Sequence, residues 1–404
     1  MKTVTLLFIS LFITTQIFAQ NWERLDSLTP YHLNDVFFTS DQNGMAVGEN
    51  GRILTTTDQG ATWTVQNKIP GCNLLSVHFM DSDTGWISGS CGIHKTTDGG
   101  ATWNLQLAAN GTTYNDIHFY DGQHGGASGT LMQIATTHDG GQNWNHSTLS
   151  VPESNNPLMA VHFANADTAW VGGGTKLHRT SDGGQTWALN QTFNTVDWIL
   201  SMDFDPTGRV GIAVGGAGLT LYTYDHSANW NVGGFITPNH QDVNGTELLG
   251  TDSIFAVCDD GLIYFSQTGG SAWNSMVSPT ENNLNGVHFP SARVGFAVGN
   301  NGTMLRYGGI NSISPTPKLQ VNFKVYPNPS TGNITVSWSG SQSAPNRVEL
   351  VDALGKVWHS EKLSEASHEG THHLDLSHLA SGVYFIDLTF EEGHVQERLL
   401  ISPR

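Results

Sequence analysis

Residues 74–103 read LLSVHFMDSDTGWISGSCGIHKTTDGGATW. Apolar Val77 and Phe79 alternate with polar neighbours, the pattern of a strand buried on one side. Asp81, Asp83 and Gly85 punctuate a tight turn, and a second strand runs through Trp86 and Ile87. Gly89 and Gly92 turn the chain into a third strand, and Asp98-Gly99-Gly100 opens a hairpin ending on Trp103. The same grammar returns as LNDVFF (33–38) with GMAVGENGRILTTTDQGATW (44–63), and as LMAVHFANADTAWVGGGTKLHRTSDGGQTW (158–187). Trp22, Trp63, Trp103, Trp144, Trp187, Trp230 and Trp273 follow one another at gaps of 41, 40, 41, 43, 43 and 43 residues. A unit of four short strands cannot bury both faces alone, so it must stack on copies of itself. A period of this length predicts a β-propeller.

Residues 284–309 (LNGVHFPSARVGFAVGNNGTMLRYGG) supply three strands and stop without a Trp. The missing strand is at the other end, because Trp22 lies one period before Trp63. The segment 21–25 is therefore expected to pair near Met304-Leu305-Arg306 and close a ring of seven blades over residues 21–309. Closure removes the open sheet edges that would invite aggregation. Beyond a linker at 310–320, residues 321–404 alternate in short strands such as Ile334–Trp338, Val348–Asp352 and Gly382–Leu388, which predicts a small β-sandwich. The fold class is all-β: a seven-bladed β-propeller plus a small C-terminal β-sandwich.

Residues 1–20 read as a secretory signal: Lys2, then an apolar run from Leu6 to Phe12, then a small-residue end at Phe18-Ala19-Gln20. No later segment is apolar for long enough to form a transmembrane helix. The net charge is −18, a field that repels nucleic acid and anionic lipid and suits solubility outside the cell.

The hairpin before each Trp is the most specific local motif. Thr56 to Trp63, Thr96 to Trp103 and Thr180 to Trp187 fit S/T-x-D-x-G-x-T-W, and Thr137 to Trp144 fits with Asn143 for Thr. Blade five keeps Asp225 but has Ser227 at a glycine position, and blade six has Thr268 for Asp. The motif resembles the Asp box, or bacterial neuraminidase repeat. Its carboxylates Asp58, Asp98, Asp139, Asp182 and Asp225 are expected to hold turns rather than to catalyse. The whole repeat resembles the photosystem II stability/assembly-factor type of propeller, which also occurs in xyloglucanases and many exported bacterial proteins. A photosynthetic role is not carried over, because the tail differs and the basic residues of that family's binding patch are missing.

The tail closely resembles the type A C-terminal sorting domain of the type IX secretion system of Bacteroidetes. The matching residues are Tyr326-Pro327-Asn328-Pro329 with Gly332, the turn Asp352 to Lys356 containing Gly355 and Lys356, and Leu376 to Tyr384 containing Gly382. The resemblance implies export by the signal, passage of the outer membrane through the type IX machinery, removal of the tail, and release or attachment at the cell surface.

Candidate chemistry is sparse. His78, His118, His162 and His288 share one position of the first strand, but Phe37 and Asp203 take it in other blades. A spacer between blades is expected there, and no metal or cofactor. A sialidase would need an arginine triad, and the propeller's arginines are Arg24, Arg52, Arg179, Arg209, Arg293 and Arg306, with no FRIP-like start. A xyloglucanase-like enzyme needs two propellers facing one cleft. A carboxylate pair from Asp197, Asp242 or Glu281 would support a polysaccharide-acting glycoside hydrolase or lyase. The favoured expectation is a non-enzymatic recognition or scaffold module for a glycan or protein. Its site would lie in the fourth-to-first-strand loops, with Tyr114, Asn155, Asp197, Trp198, His240 and Asp242 as candidates. Trp198 stands outside the Trp period and reads either as a sugar-stacking ring or as a core plug. Cys258 is expected to be a buried free thiol. Cys72 and Cys91 are expected to form a disulfide, on a register that sets Val77 opposite Trp86.

Overall fold

The computed structural model describes residues 22–402 except 27, 68, 150–155, 194–197, 206, 292–293, 309–320, 341–342, 352–356, 364–366 and 391–392. The signal, the linker, Asn155, Asp197, Gly355 and Lys356 lie outside the described residues. Seven four-stranded antiparallel sheets form the propeller, each following chain order except the last. That sheet takes its outermost strand, Trp22–Arg24, from the other end of the chain. Trp22 pairs with Tyr307, Glu23 with Arg306 and Arg24 with Leu305. The Trp22 ring is 4 % exposed and packs edge-on against Phe255 and Phe289.

The innermost strands surround the axis: Leu33–Phe38, Leu74–Phe79, Tyr114–Phe119, Ala160–Phe163, Ile199–Phe204, Val243–Leu249 and Leu284–Ser291. Six of them carry a β-bulge next to their first residue. A bulge re-aims the extra side chain. Where that residue is Asn, its amide reaches the next blade: Asn34 donates to the Leu74 carbonyl, Asn115 to Leu158, Asn244 to Leu284 and Asn285 to Leu33, at 2.7–2.9 Å. The last of these crosses the seam of the ring.

The blade-two bulge corrects one expectation. Val77 lies opposite Ile87, and His78 faces Trp86, one residue away from the expected register. The shift between Leu74 and Ser76 then sets Leu74 opposite Gly89. The ends of the hairpin thus meet in the register that joins Cys72 to Cys91, whose disulfide spans 5.5 Å between Cα atoms. Cys258 is a free, buried thiol, and burial raises its pKa.

The Asp boxes share one geometry. In blade one, Asp58 Oδ1 accepts from the Thr62 amide at 2.9 Å and from the Thr56 hydroxyl at 2.8 Å, while Oδ2 accepts from the Thr62 hydroxyl at 2.6 Å. Asp98, Asp139, Asp182 and Asp225 repeat it. These bonds hold the Asp98, Asp139 and Asp182 carboxyls down at about 2. In blade six the Thr268 hydroxyl accepts the Ala272 amide in place of a carboxylate. Ser227, at a glycine position, adopts φ 62° and accepts the Trp170 indole N–H at 2.7 Å. Each Asp-box hairpin leans on its own blade's first turn, as where the Gly99 amide donates to the Asp83 carbonyl. Both kinds of turn therefore lie on one face, the floor.

The C-terminal domain pairs a three-stranded with a four-stranded sheet. Its core holds Val336, Trp338, Leu350, Ile386 and Leu399. Asn328 and Ser330, beside the Tyr326-Pro327-Asn328-Pro329 opening, bond to the final strand: Asn328 Oδ1 accepts the Leu400 amide and Ser330 N donates to the Leu400 carbonyl. Tyr384 donates its hydroxyl to the Ala380 carbonyl at 3.1 Å.

Candidate functional site

Two parts of the propeller collect polar or aromatic side chains: the central channel and the face opposite the Asp boxes. In the channel, one residue per blade forms an annulus near the floor. Ring contacts run from His288 to Phe37 (4.4 Å), His78 (5.2 Å), His118 (4.7 Å) and His162 (4.2 Å). His162 Nδ1 then meets Asp203 at 3.3 Å, and His288 Nδ1 meets Glu247 at 3.3 Å. These groups also grip the neighbouring blade's backbone: His118 Nδ1 accepts the Phe163 amide, Asp203 the Leu248 amide and Glu247 the Phe289 amide. One tier up, Asp35 accepts the Val77 amide and Asp116 the Val161 amide. The channel polar groups are inter-blade staples.

Burial sets their titration. Desolvation lowers His78 to about 4 and His162 to about 3, so both are neutral at pH 7. It raises Asp35 to about 7, helped by the Asp116 charge, and raises Asp203 to about 7, helped by the Glu247 charge. Among the described residues, no group of three or more His, Cys, Asp or Glu is arranged to hold a metal ion.

The opposite face is built from the fourth-to-first-strand loops and the turns between second and third strands. Several of those turns place a non-glycine residue in the left-handed region: Asn50, Ala217, Asp260 and Asn301, at φ 52–56°. Each offers its amide to a side chain from the next blade's loop, always the residue just before the inner strand. Asn73 takes Asn50 at 3.3 Å, Asp242 takes Ala217 at 2.9 Å, Asn283 takes Asp260 at 3.1 Å and His32 takes Asn301 at 3.0 Å. The same loop residues accept through their own carbonyls from the turn of their own blade, His32 from Glu49 and Asp242 from Asp259. This ring of latches escaped the sequence reading. Its only signal is a shared position filled by different polar residues.

Trp198 occupies that position between blades four and five. Its carbonyl makes the common bond, accepting the Gly216 amide at 2.8 Å. An indole can donate but not accept, so the side chain cannot latch the neighbouring turn at Gly174, and it is 41 % exposed. Pro157 fills the equivalent position one blade earlier, and the turn it faces carries Leu131, 57 % exposed. Asn156 lies over Gly174, within 2.8 Å of where a Cβ on that glycine would stand. Three successive junctions, at Thr113, Pro157 and Trp198, thus show no such latch among the described residues, and the last two carry exposed Leu131 and Trp198 with half-buried Asn156 beside Gly174.

The other candidates separate from this sector. Tyr114 is 2 % exposed and begins an inner strand, packing with Trp86, Ile117 and Phe119; it is core and cannot meet a ligand. Asp242 is committed to its latch. His240 is exposed at φ 58° on the next loop round the ring. Glu281 is exposed near Asn282 on a further loop.

Comparison with known proteins follows this architecture. The family described as the secretion system C-terminal sorting domain matches residues 324–402. The family described as photosynthesis system II assembly factor YCF48 matches residues 14–110 and 104–196. The photosystem II assembly lipoprotein Ycf48 of Synechococcus sp. (strain CC9902) is 25% identical over 71% of this chain and 88% of its own length. The assembly protein Ycf48 of Thermosynechococcus vestitus (strain NIES-2133 / IAM M-273 / BP-1) is 25% identical over 71% of this chain and 84% of its own. A structure of YCF48 bound to D1 peptide superposes with a TM-score of 0.58 at 22% identity, covering 71% of this chain and 97% of that one. YCF48 from Cyanidioschyzon merolae gives 0.58 at 20% identity, covering 71% of this chain and 98% of that one. The sorting domain implies a secreted or cell-surface protein.

Proposed function

We propose that this chain, a YCF48-like propeller joined to a secretion sorting domain, is an exported recognition module that binds a glycan through the face opposite its Asp boxes. The observation that carries the reading is the exposed Trp198 ring at a position where other blades place a latch. A flat, half-exposed aromatic presents an apolar face to a sugar ring, and Asn156 supplies donor and acceptor groups beside it.

A hydrolase or lyase would need two free carboxylates close together. Asp242 is spent on the Ala217 amide, and nothing in the described geometry favours that alternative. A peptide is the competing ligand, as one YCF48 structure is bound to D1 peptide. A glycan array, a peptide library and a hydrolysis screen with the same protein separate the three. The expected result is glycan retention without turnover, lost at least tenfold in Trp198→Ala. Peptide binding alone, or product release from a polysaccharide, would replace the reading.

A further inference from the structure

The four-stranded sheet of the sorting domain has two faces. Val348, Leu350, Tyr384, Ile386 and Leu399 point into its own core. Side chains alternate along a strand, so Val383 and Phe385 point the other way, where an isolated sandwich would meet water. They are nevertheless 6 % and 2 % exposed, and Val351 is fully buried. All three belong to one apolar cluster with Leu249, Phe255 and Phe289 of the propeller, against which Leu400 also packs.

The contact lies on the Asp-box floor. Leu249 opens the first turn of blade six and is 7 % exposed. Tyr120 holds the matching place in blade three and is 46 % exposed. The difference is the cover: a Cβ on Gly250 would stand 3.7 Å from the Val383 nitrogen. Asp205, Thr207 and Thr251 face Ser381 and Val383 across a narrow crevice. Arg398, which pairs with Phe385 on the neighbouring strand, lies close enough for its charge to act on Asp203, opposing the rise that burial causes there. Asp203 and the neighbouring Glu247 are the two acidic members of the channel annulus.

We propose that the floor of blades five and six is a docking site for the sorting domain of the same chain, residues 321–404. Docked there, the domain stands over the acidic side of the channel mouth and masks the apolar outer face of its own sheet. Apolar contact supplies the adhesion, and the charge of Arg398, close enough to act on Asp203, sets the orientation. The short connection at 310–320 raises the effective concentration to on the order of millimolar, so a weak contact suffices to keep the domain down. Any partner that reads the Val383–Phe385 face must first lift it from the propeller.

Hydrogen exchange on the full chain tests this, with small-angle scattering and light scattering on the same samples. The blade-six turn at residues 250–252, which the docked domain covers, should be protected in the native chain. Leu249→Asp and Arg398→Glu should each speed exchange there at least tenfold and enlarge the particle, while the inner strands stay protected. If Leu249→Asp unfolds the propeller, Thr251→Cys with Ser381→Cys decides instead. An intramolecular crosslink formed in mild oxidant supports docking, and failure to form it overturns docking. Fast exchange at 250–252 in the native chain, a two-lobed extended particle, or a dimer in which the domain docks on a second copy would each overturn the proposal.

Discussion

Trp22 lies directly opposite Tyr307, so a strand from the start of the propeller completes the sheet that ends it. The indole fills the space between Phe255, Phe289 and Tyr307. Trp22→Ala should therefore cost about 3–5 kcal/mol, the usual range for emptying a buried Trp site. Deletion of residues 21–30 should open the ring. Chemical denaturation read by circular dichroism checks both, and an unchanged midpoint would mean that the strand does not close the seam.

The Cys72–Cys91 bond links residues 19 apart in sequence. Closing a loop of that size stabilises by roughly 3 kcal/mol in the chain-entropy picture. Cys72→Ser with Cys91→Ser should lower the unfolding midpoint accordingly. Non-reducing mass spectrometry should find Cys258 as the free thiol, and a bridge involving Cys258 would contradict the assignment.

His78 titrates at about 4 in the folded protein against about 6.5 unfolded, because burial between Phe37 and His118 disfavours the cation. The unfolded chain takes up the proton first. Stability from this site is thus complete above pH 6.5 and falls until pH reaches about 4. His78→Phe removes that loss, and it should gain on the native protein by about 3 kcal/mol as pH falls from 6.5 to 4. Parallel melting curves across that range would refute the assignment of His78 as a neutral spacer.

Removal of residues 321–404 should leave a folded propeller that no longer reaches the medium or the cell surface, since the matched sorting domain is gone. The truncated protein should also bind hydrophobic dye at the bared Leu249. Fractionation measures the first outcome, and efficient delivery outside the cell would contradict it.

The blade count and its closure were legible because a large Trp, buried at 22 and 63 and half-buried in the other blades, recurs at fixed spacing, and a repeat must stack on its neighbour. The Asp boxes were legible because a turn needs Asp and Gly at set offsets. The disulfide position was legible only through a compensation: a bulge at the head of the inner strand shifts the register, and no side chain marks a bulge. Tyr114 misled because a tyrosine at a loop's end can equally begin a strand, and the hydroxyl gives no sign of which. The latch ring was hidden because His32, Asn73, Asp242 and Asn283 share a position but not a residue type. The seat of the sorting domain was hidden as well, since Leu249 looks like an exposed turn residue until another domain covers it.

The central claim is that recognition uses the face carrying Trp198. The most direct measurement is the set of indole N–H signals in a 15N-labelled protein during titration with a glycan retained on the array. The account predicts that the Trp198 signal shifts and saturates while the Asp-box tryptophans Trp63, Trp144 and Trp273, whose indoles are bonded within their own turns, stay in place. Movement of the Asp-box signals with Trp198 unmoved would contradict it.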